Sequence, residues 1–236
     1  MKKKINLGIT IFFILIMMSL YITFLFFDNH VYISKVEYAG IIACFTFVWI
    51  ILINDLDIWL VRFALLFTLI SDWFLVIKGD HQLLAVITFI FAQGFYAIRL
   101  WFNEDSNNRK ILHIYTRVIL FIALELGALI ILKKNFDGLV FASLLYFSLL
   151  LINVIIAFKN TNKNILFALG LLFFLGCDIM VGLSTIEDYL AIRESSLIYK
   201  LLNAPIDLVW FFYFPSQTLL ALSVLTNKKI SSTISK

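Results

Sequence analysis

The sequence has 236 residues, of which 62% are hydrophobic and only 14% are charged, and its mean hydropathy is +0.99. Soluble domains are about 45–50% apolar, so this chain has too little polar surface to cover a globule in water. The composition therefore excludes a soluble protein and indicates an integral membrane protein. The net charge of +4 does not indicate nucleic acid, because the basic residues are scattered through short loops, where they act as topology signals.

About eight stretches are long and apolar enough to cross a bilayer, which takes roughly 20 residues in a helix. Because the loops between them are short, residues 1–236 are expected to form one all-α transmembrane domain. Lysine and arginine are more numerous on the side of the N-terminus, which predicts both termini in the cytoplasm and a location in the plasma membrane. The spans are expected near residues 7–27, 36–53, 59–77, 82–102, 111–132, 136–158, 164–184 and 205–225.

Two segments at the edges of this topology need an interpretation of their own. The first span follows lysines at positions 2–4, but its apolar run is longer than that of a signal peptide, which predicts an uncleaved helix. The longest loop, 185–204, mixes apolar and charged residues. That pattern predicts an amphipathic piece lying on the outer surface of the membrane.

Charged residues inside the predicted spans are the first candidates for function, because each costs at least a few kcal/mol unless it is paired or hydrated. Asp72 and Asp178 are expected at the same depth, about 10 Å below the outer surface. Glu125 reaches a similar depth and is expected to line the same cavity, to pair with Asn153 or to cap a kink. Arg117 lies closer to the inner face, which predicts that its side chain extends to that surface.

A glutamine follows each of these aspartates on the next span, Gln93 after Asp72 and Gln217 after Asp178. Each glutamine is expected about one helical turn below its aspartate. Because four spans separate the two occurrences, the pattern predicts a parallel internal repeat of two four-helix halves.

Other polar positions leave alternatives open. Pro215 removes a backbone hydrogen bond and frees a carbonyl near Phe211, which indicates either a hydrated pocket or a packing kink. Arg99 ends the fourth span and is expected either in the pocket or as an interfacial anchor. The three histidines and two cysteines form no cluster in the sequence, so no metal site or cofactor is expected.

Four short motifs carry a resemblance to a known family. They are Ser71-Asp72 ahead of Phe74-Leu75, Phe91-Ala92-Gln93 ending in Tyr96, Cys177-Asp178, and Tyr213 leading to Ser216-Gln217. In this order and spacing, the chain from about Trp59 to Leu225 resembles the YhhN family of lysoplasmalogenases.

The resemblance implies cleavage of the vinyl ether bond of a lysoplasmalogen, giving a fatty aldehyde and a glycerophospho-alcohol. It assigns the two catalytic aspartates to Asp72 and Asp178 and implies a lysophospholipid substrate among membrane lipids. It also assigns pocket positions to Gln93, Tyr96, Tyr213 and Gln217, beside which Arg99 and Glu125 are further pocket candidates. The oligomeric state is left open.

The reaction itself calls for one carboxylic acid and one carboxylate, as in glycosidases. The acid protonates the β-carbon of the vinyl ether, and the carboxylate stabilises the resulting cation and activates water. The sequence does not assign the two roles between Asp72 and Asp178. Many family members carry a histidine at the position of Gln93, and glutamine does not transfer protons at neutral pH. Two alternatives therefore stand beside the hydrolase, a transporter of a small solute or lipid and a lipid-binding protein without activity.

Overall fold

The computed structural model describes residues 2–26, 30–133, 136–186 and 196–226, and within these ranges it contains helices but no strand. Eight of the helices are long and apolar enough to cross a membrane, which confirms the predicted fold class. The helices are α1 (Lys2–Phe26), α2 (His30–Ile50), α3 (Leu56–Asp72), α4 (Gln82–Asn103), α5 (Asn107–Leu132), α6 (Gly138–Lys159), α7 (Ile165–Ile186), the short α8 (Leu197–Leu202) and α9 (Leu208–Leu222).

Aspartates begin three of the spanning helices. Asp55, Asp137 and Asp207 precede α3, α6 and α9, and each side chain accepts a hydrogen bond from a backbone N–H of the first turn, at 2.8–2.9 Å. These carboxylates satisfy donors that have no partner within the helix. Several helices extend beyond the expected spans. The spans were predicted from hydropathy, which follows the hydrocarbon layer, whereas a helix continues until a capping residue ends it.

Two helices end in a change of winding. α3 continues into a π-helical turn, Trp73–Lys78, which is closed by Gly79 in the left-handed conformation with φ of 75°. α9 continues into a 3₁₀ turn, Ser223–Leu225. π-Helical turns are rare and occur frequently at functional sites, and this one begins directly after Asp72.

The spanning helices pack in an order that is the same in the two parts of the chain. α1 packs on α2, α2 on α3 and α3 on α4, while α5 packs on α6, α6 on α7 and α7 on α9. Contacts between α4 and α6 and between α2 and α9 join the two parts, which leaves α1 and α5 at the periphery. A parallel repeat would produce this order, but the repeat itself stays a prediction.

An amphipathic piece was expected in the loop 185–204, of which residues 187–195 lie outside the described residues. The described remainder contains α8, which is capped by the Ser196 hydroxyl accepting from the Tyr199 N–H at 3.1 Å. Leu197 in this helix is 72% exposed.

α7 and α9 approach closely at Gly170. A Cβ atom at this position would lie 2.8 Å from Leu220 Cγ and 3.0 Å from the Leu220 backbone nitrogen. A backbone atom cannot rotate away as a side chain can, so the glycine is what allows these two helices to meet.

We expect Gly170→Ala to destabilise the protein by about 1–3 kcal/mol, because the added methyl group overpacks the interface between α7 and α9. The measurement is the midpoint of unfolding in mixed detergent–SDS micelles. Gly127→Ala on α5 is the matched control, since a Cβ atom there meets nothing within 4 Å and alanine favours a helix. Equal midpoints for the two variants would contradict the close approach.

Candidate active site

Asp72 lies at the centre of the bundle and is held by a tyrosine from another helix. Its carboxylate is 2% exposed and accepts a hydrogen bond from the Tyr213 hydroxyl at 2.7 Å. Asp72 ends α3 and Tyr213 lies on α9, so this bond joins the early and late parts of the chain. Because a carboxyl group in hydrocarbon needs a partner, the bond fixes the position of α9 against α3.

Asp178 forms a second pair of the same kind. The Tyr146 hydroxyl on α6 donates to Asp178 Oδ2 on α7 at 2.6 Å. Tyr146 is buried and Asp178 is partly exposed. The sequence analysis did not single out Tyr146, although a tyrosine in the middle of an apolar span indicates a hydroxyl that needs a partner.

The two aspartate–tyrosine pairs meet around one phenylalanine. The Phe174 ring lies 5.4 Å from the Tyr213 ring and 6.4 Å from the Tyr146 ring, measured between centroids. Phe174 also lies one helical turn before Asp178 on α7. The structure therefore places the two tyrosines that bind the predicted aspartates beside the same aromatic side chain.

Beside these pairs lies a set of buried polar atoms without protein partners. They are Thr68 Oγ1, Gln93 Nε2, the Tyr96 hydroxyl, Ser216 Oγ and both amide atoms of Gln217, all on side chains that are fully buried. Nearly all buried polar groups in proteins are hydrogen-bonded. A set of unpaired donors and acceptors on α3, α4 and α9 is therefore suited to binding a polar group that enters the bundle.

The carbonyl freed by Pro215 has a protein partner. The Tyr21 hydroxyl on α1 donates to the Phe211 backbone oxygen at 3.2 Å. No water is needed at that carbonyl, so the break in α9 is stabilised by packing against α1. The residues that follow the proline, Ser216 and Gln217, carry the unpaired atoms instead.

Arg99 is buried in an ion pair and is not at the lipid–water interface. Its guanidinium donates to both Asp57 carboxylate oxygens at 2.7–2.8 Å and to the Ser223 hydroxyl at 2.6 Å. It also lies 4.4 Å from the centroid of the Phe167 ring, and its exposed fraction is 1%. The interfacial-anchor alternative is therefore wrong, and Arg99 joins α3, α4 and the 3₁₀ turn after α9 near the face where α1 begins.

Arg117 on α5 differs from expectation, and one of the alternatives for Glu125 on the same helix is excluded. Arg117 does not extend to the surface, because its guanidinium turns into the bundle and donates to Asn153 Oδ1 at 2.7 Å. The Asn153 amide in turn donates to Gln93 Oε1 at 3.1 Å. The expected pair between Glu125 and Asn153 is not formed, and neither Glu125 oxygen has a hydrogen-bond partner among the described residues.

A bundle of eight spanning helices with two aspartate–tyrosine pairs at its centre defines an integral membrane protein with a polar site inside the hydrocarbon layer. The model of the YhhN family matches residues 32–224, which is most of the chain. The chain belongs to the YhhN family, as its motifs predicted. No curated protein and no solved structure matches it. Within the described ranges no group of three or more His, Cys, Asp or Glu could hold a metal ion.

We expect Asp57→Ala to destabilise the protein by about 3–5 kcal/mol, because it leaves the Arg99 charge buried without its partner. Ser223→Ala is the comparison, since it removes one hydrogen bond to the same guanidinium and costs about 1.5–3 kcal/mol. Unfolding midpoints in mixed micelles measure both effects. A smaller loss for Asp57→Ala than for Ser223→Ala would show that the ion pair does not hold this end of the bundle.

Proposed function

We propose that the protein is a membrane-embedded hydrolase of the lysoplasmalogenase type, acting in the plasma membrane with both termini in the cytoplasm. It cleaves the vinyl ether bond of a lysoplasmalogen and gives a fatty aldehyde and a glycerophospho-alcohol. The observation that carries the proposal is the pair of aspartates, Asp72 and Asp178, each bound by a tyrosine whose ring lies against Phe174. Membership of the YhhN family supports it.

The chemistry needs a proton donor and a proton acceptor on either side of the reacting carbon. One carboxylic acid protonates the β-carbon, and the resulting oxocarbenium ion is stabilised by the other carboxylate, as in glycosidases. Water then attacks, and the hemiacetal collapses to aldehyde and alcohol. Tyr146 and Tyr213 hold the two carboxyl groups in fixed orientations, which lowers the entropic cost of reaching the transition state.

The unpaired amides complete the site as binding groups. Gln93 Nε2 and the Gln217 amide are buried donors and acceptors without protein partners, and they are suited to the glycerol oxygens of a lysolipid. Because an amide does not transfer protons, Gln93 binds substrate and the proton transfers belong to the two aspartates. The single alkyl chain of the lipid lies among the apolar helices.

The alternative function is transport of a small solute or lipid, or binding without chemistry. A polar centre and a helix interrupted by proline occur in transporters as well. A path through the face where α1 begins would have to separate Arg99 from Asp57, and breaking a buried ion pair costs several kcal/mol. This cost favours a pocket closed on that side, as a hydrolase requires.

We expect the purified protein to release aldehyde from a lysoplasmalogen, and Asp72→Asn and Asp178→Asn each to lower kcat by roughly 100- to 10,000-fold, because each removes one partner of the acid–base pair. Aldehyde is measured by coupled reduction, and gel filtration checks that each variant folds. If the folded wild-type protein is inactive on both choline and ethanolamine substrates, the hydrolase proposal fails and binding or transport remains.

The tyrosines give a separate test of the same site. Tyr213→Phe and Tyr146→Phe remove one hydroxyl each, so we expect kcat to fall less than in the aspartate variants while the aspartates remain in place. Tyr115→Phe is the matched control, because Tyr115 lies on the peripheral α5 and is 62% exposed. Full activity in both buried variants would contradict the proposal that these hydroxyls orient the carboxyl groups.

A further inference from the structure

Glu37 is a buried carboxyl group. It belongs to none of the family motifs and has no role in the reaction described above. It lies two turns into α2 and is 5% exposed. The buried face of α2 continues from it through Gly40, Ile41 and Cys44. Among the described side chains of α2, the buried one nearest the start of this otherwise apolar face is thus an acid, which is costly inside a membrane unless it has a function.

The neighbouring contacts place Glu37 close to the Asp72–Tyr213 pair. A Cβ atom on Gly40 would lie 2.5 Å from the Phe214 ring, so α2 and α9 touch at this level. Phe214 directly follows Tyr213, which binds Asp72. Glu37 precedes Gly40 by three residues on the same helix face, so it lies about 4.5 Å further toward the end where α2 begins.

A third carboxyl group lies between Glu37 and the water at that end. Asp207 is the exposed N-cap of α9, and α9 begins at the same membrane face as α2. α2 also contacts α3 at this level, because the Tyr38 hydroxyl, next to Glu37, donates to the Leu69 carbonyl at 3.5 Å, three residues before Asp72. Asp207, Glu37 and Asp72 therefore follow one another from the membrane surface to the centre of the bundle.

We propose that Glu37 carries protons between the water near Asp207 and the Asp72 carboxyl group, and that Asp72 is therefore the acid of the pair. The inference rests on the proposed hydrolase for its chemistry. Asp72 is 2% exposed, so bulk water cannot reprotonate it directly after it has given up its proton. Asp178 is partly exposed, which suits the base.

The proton transfers balance over one turnover. Asp72 gives its proton to the β-carbon, and the attacking water gives one proton to Asp178, which releases it on its exposed side. The hemiacetal collapses as its hydroxyl proton passes to the oxygen of the leaving alcohol. Protonated Glu37 then gives its proton to the Asp72 carboxylate and takes up another from water near Asp207. One proton enters and one leaves, so no other reactant is needed.

The decisive experiment measures proton exchange at Asp72 without substrate. Infrared spectra of the protein in lipid follow hydrogen–deuterium exchange at the protonated Asp72 carboxyl, whose band is assigned by its loss in Asp72→Asn. We expect this exchange to be at least about tenfold slower in Glu37→Gln, which cannot carry a proton, and close to wild type in Glu37→Asp. Unchanged exchange in Glu37→Gln, or no protonated band for Asp72, would overturn the proposal.

Turnover gives a second, separable readout. We expect Glu37→Gln to lower kcat about tenfold with KM unchanged, and Glu37→Asp to restore most of it. If the wild-type protein releases no aldehyde, the hydrolase proposal fails while the exchange measurement still decides the role of Glu37. Should Glu37→Gln fail to fold, Glu37→Leu replaces it, since leucine suits the apolar interior and likewise cannot carry a proton. Slower Asp72 exchange in that variant supports the proposal, and wild-type exchange contradicts it.

Discussion

The hydrogen bond from Tyr213 to Asp72 is the contact on which the arrangement of the bundle's centre depends. Its partners are 141 residues apart in the sequence and lie on α3 and α9. In hydrocarbon a carboxyl group cannot form hydrogen bonds with water, so its partner in the protein decides which helices lie together. Once α9 is fixed against α3, its other inward side chains, Ser216 and Gln217, lie at the centre as well. The bond between Tyr146 and Asp178 is more local, because α6 and α7 are neighbours in the chain.

A second polar cluster ties the same helices at a different level. Arg99 joins Asp57 to Ser223, and Asn164 donates to the Ser223 carbonyl at 2.7 Å, which brings the start of α7 into the cluster. Between this cluster and the aspartates lie the amides and hydroxyls without protein partners. The polar groups at both levels have protein partners, whereas several atoms between them have none. A site of that kind offers fixed walls and unused hydrogen-bonding capacity, which is what preorganised binding requires.

Hydropathy was sufficient to predict the number of spans, because the bilayer demands a minimum length of apolar helix. Asp72 and Asp178 could be predicted for the opposite reason, since a charge within such a helix is rarely accidental. The sequence does not predict a role for Tyr146, because tyrosine is common in apolar spans and its partner lies on another helix. The sequence does not mark Glu37 as a buried charge either, because it lies at the edge of the expected span 36–53, where charges are tolerated. The predicted orientation of the Arg117 side chain was wrong. The sequence indicates the depth of a residue in the membrane, whereas packing decides whether its side chain turns into the bundle.

The hydroxyl of Tyr21 makes α1 part of the unit that the matched helices need in order to be stable in a membrane. The family match begins at residue 32, after α1 has ended, yet α1 supplies the donor for the carbonyl that Pro215 leaves unpaired. A shortened form that begins with α2 would keep every matched residue and expose the Phe211 carbonyl to lipid. An unsatisfied backbone group in hydrocarbon costs several kcal/mol. The region matched by sequence therefore starts one helix later than the unit in which the Phe211 carbonyl is hydrogen-bonded, since that unit includes α1.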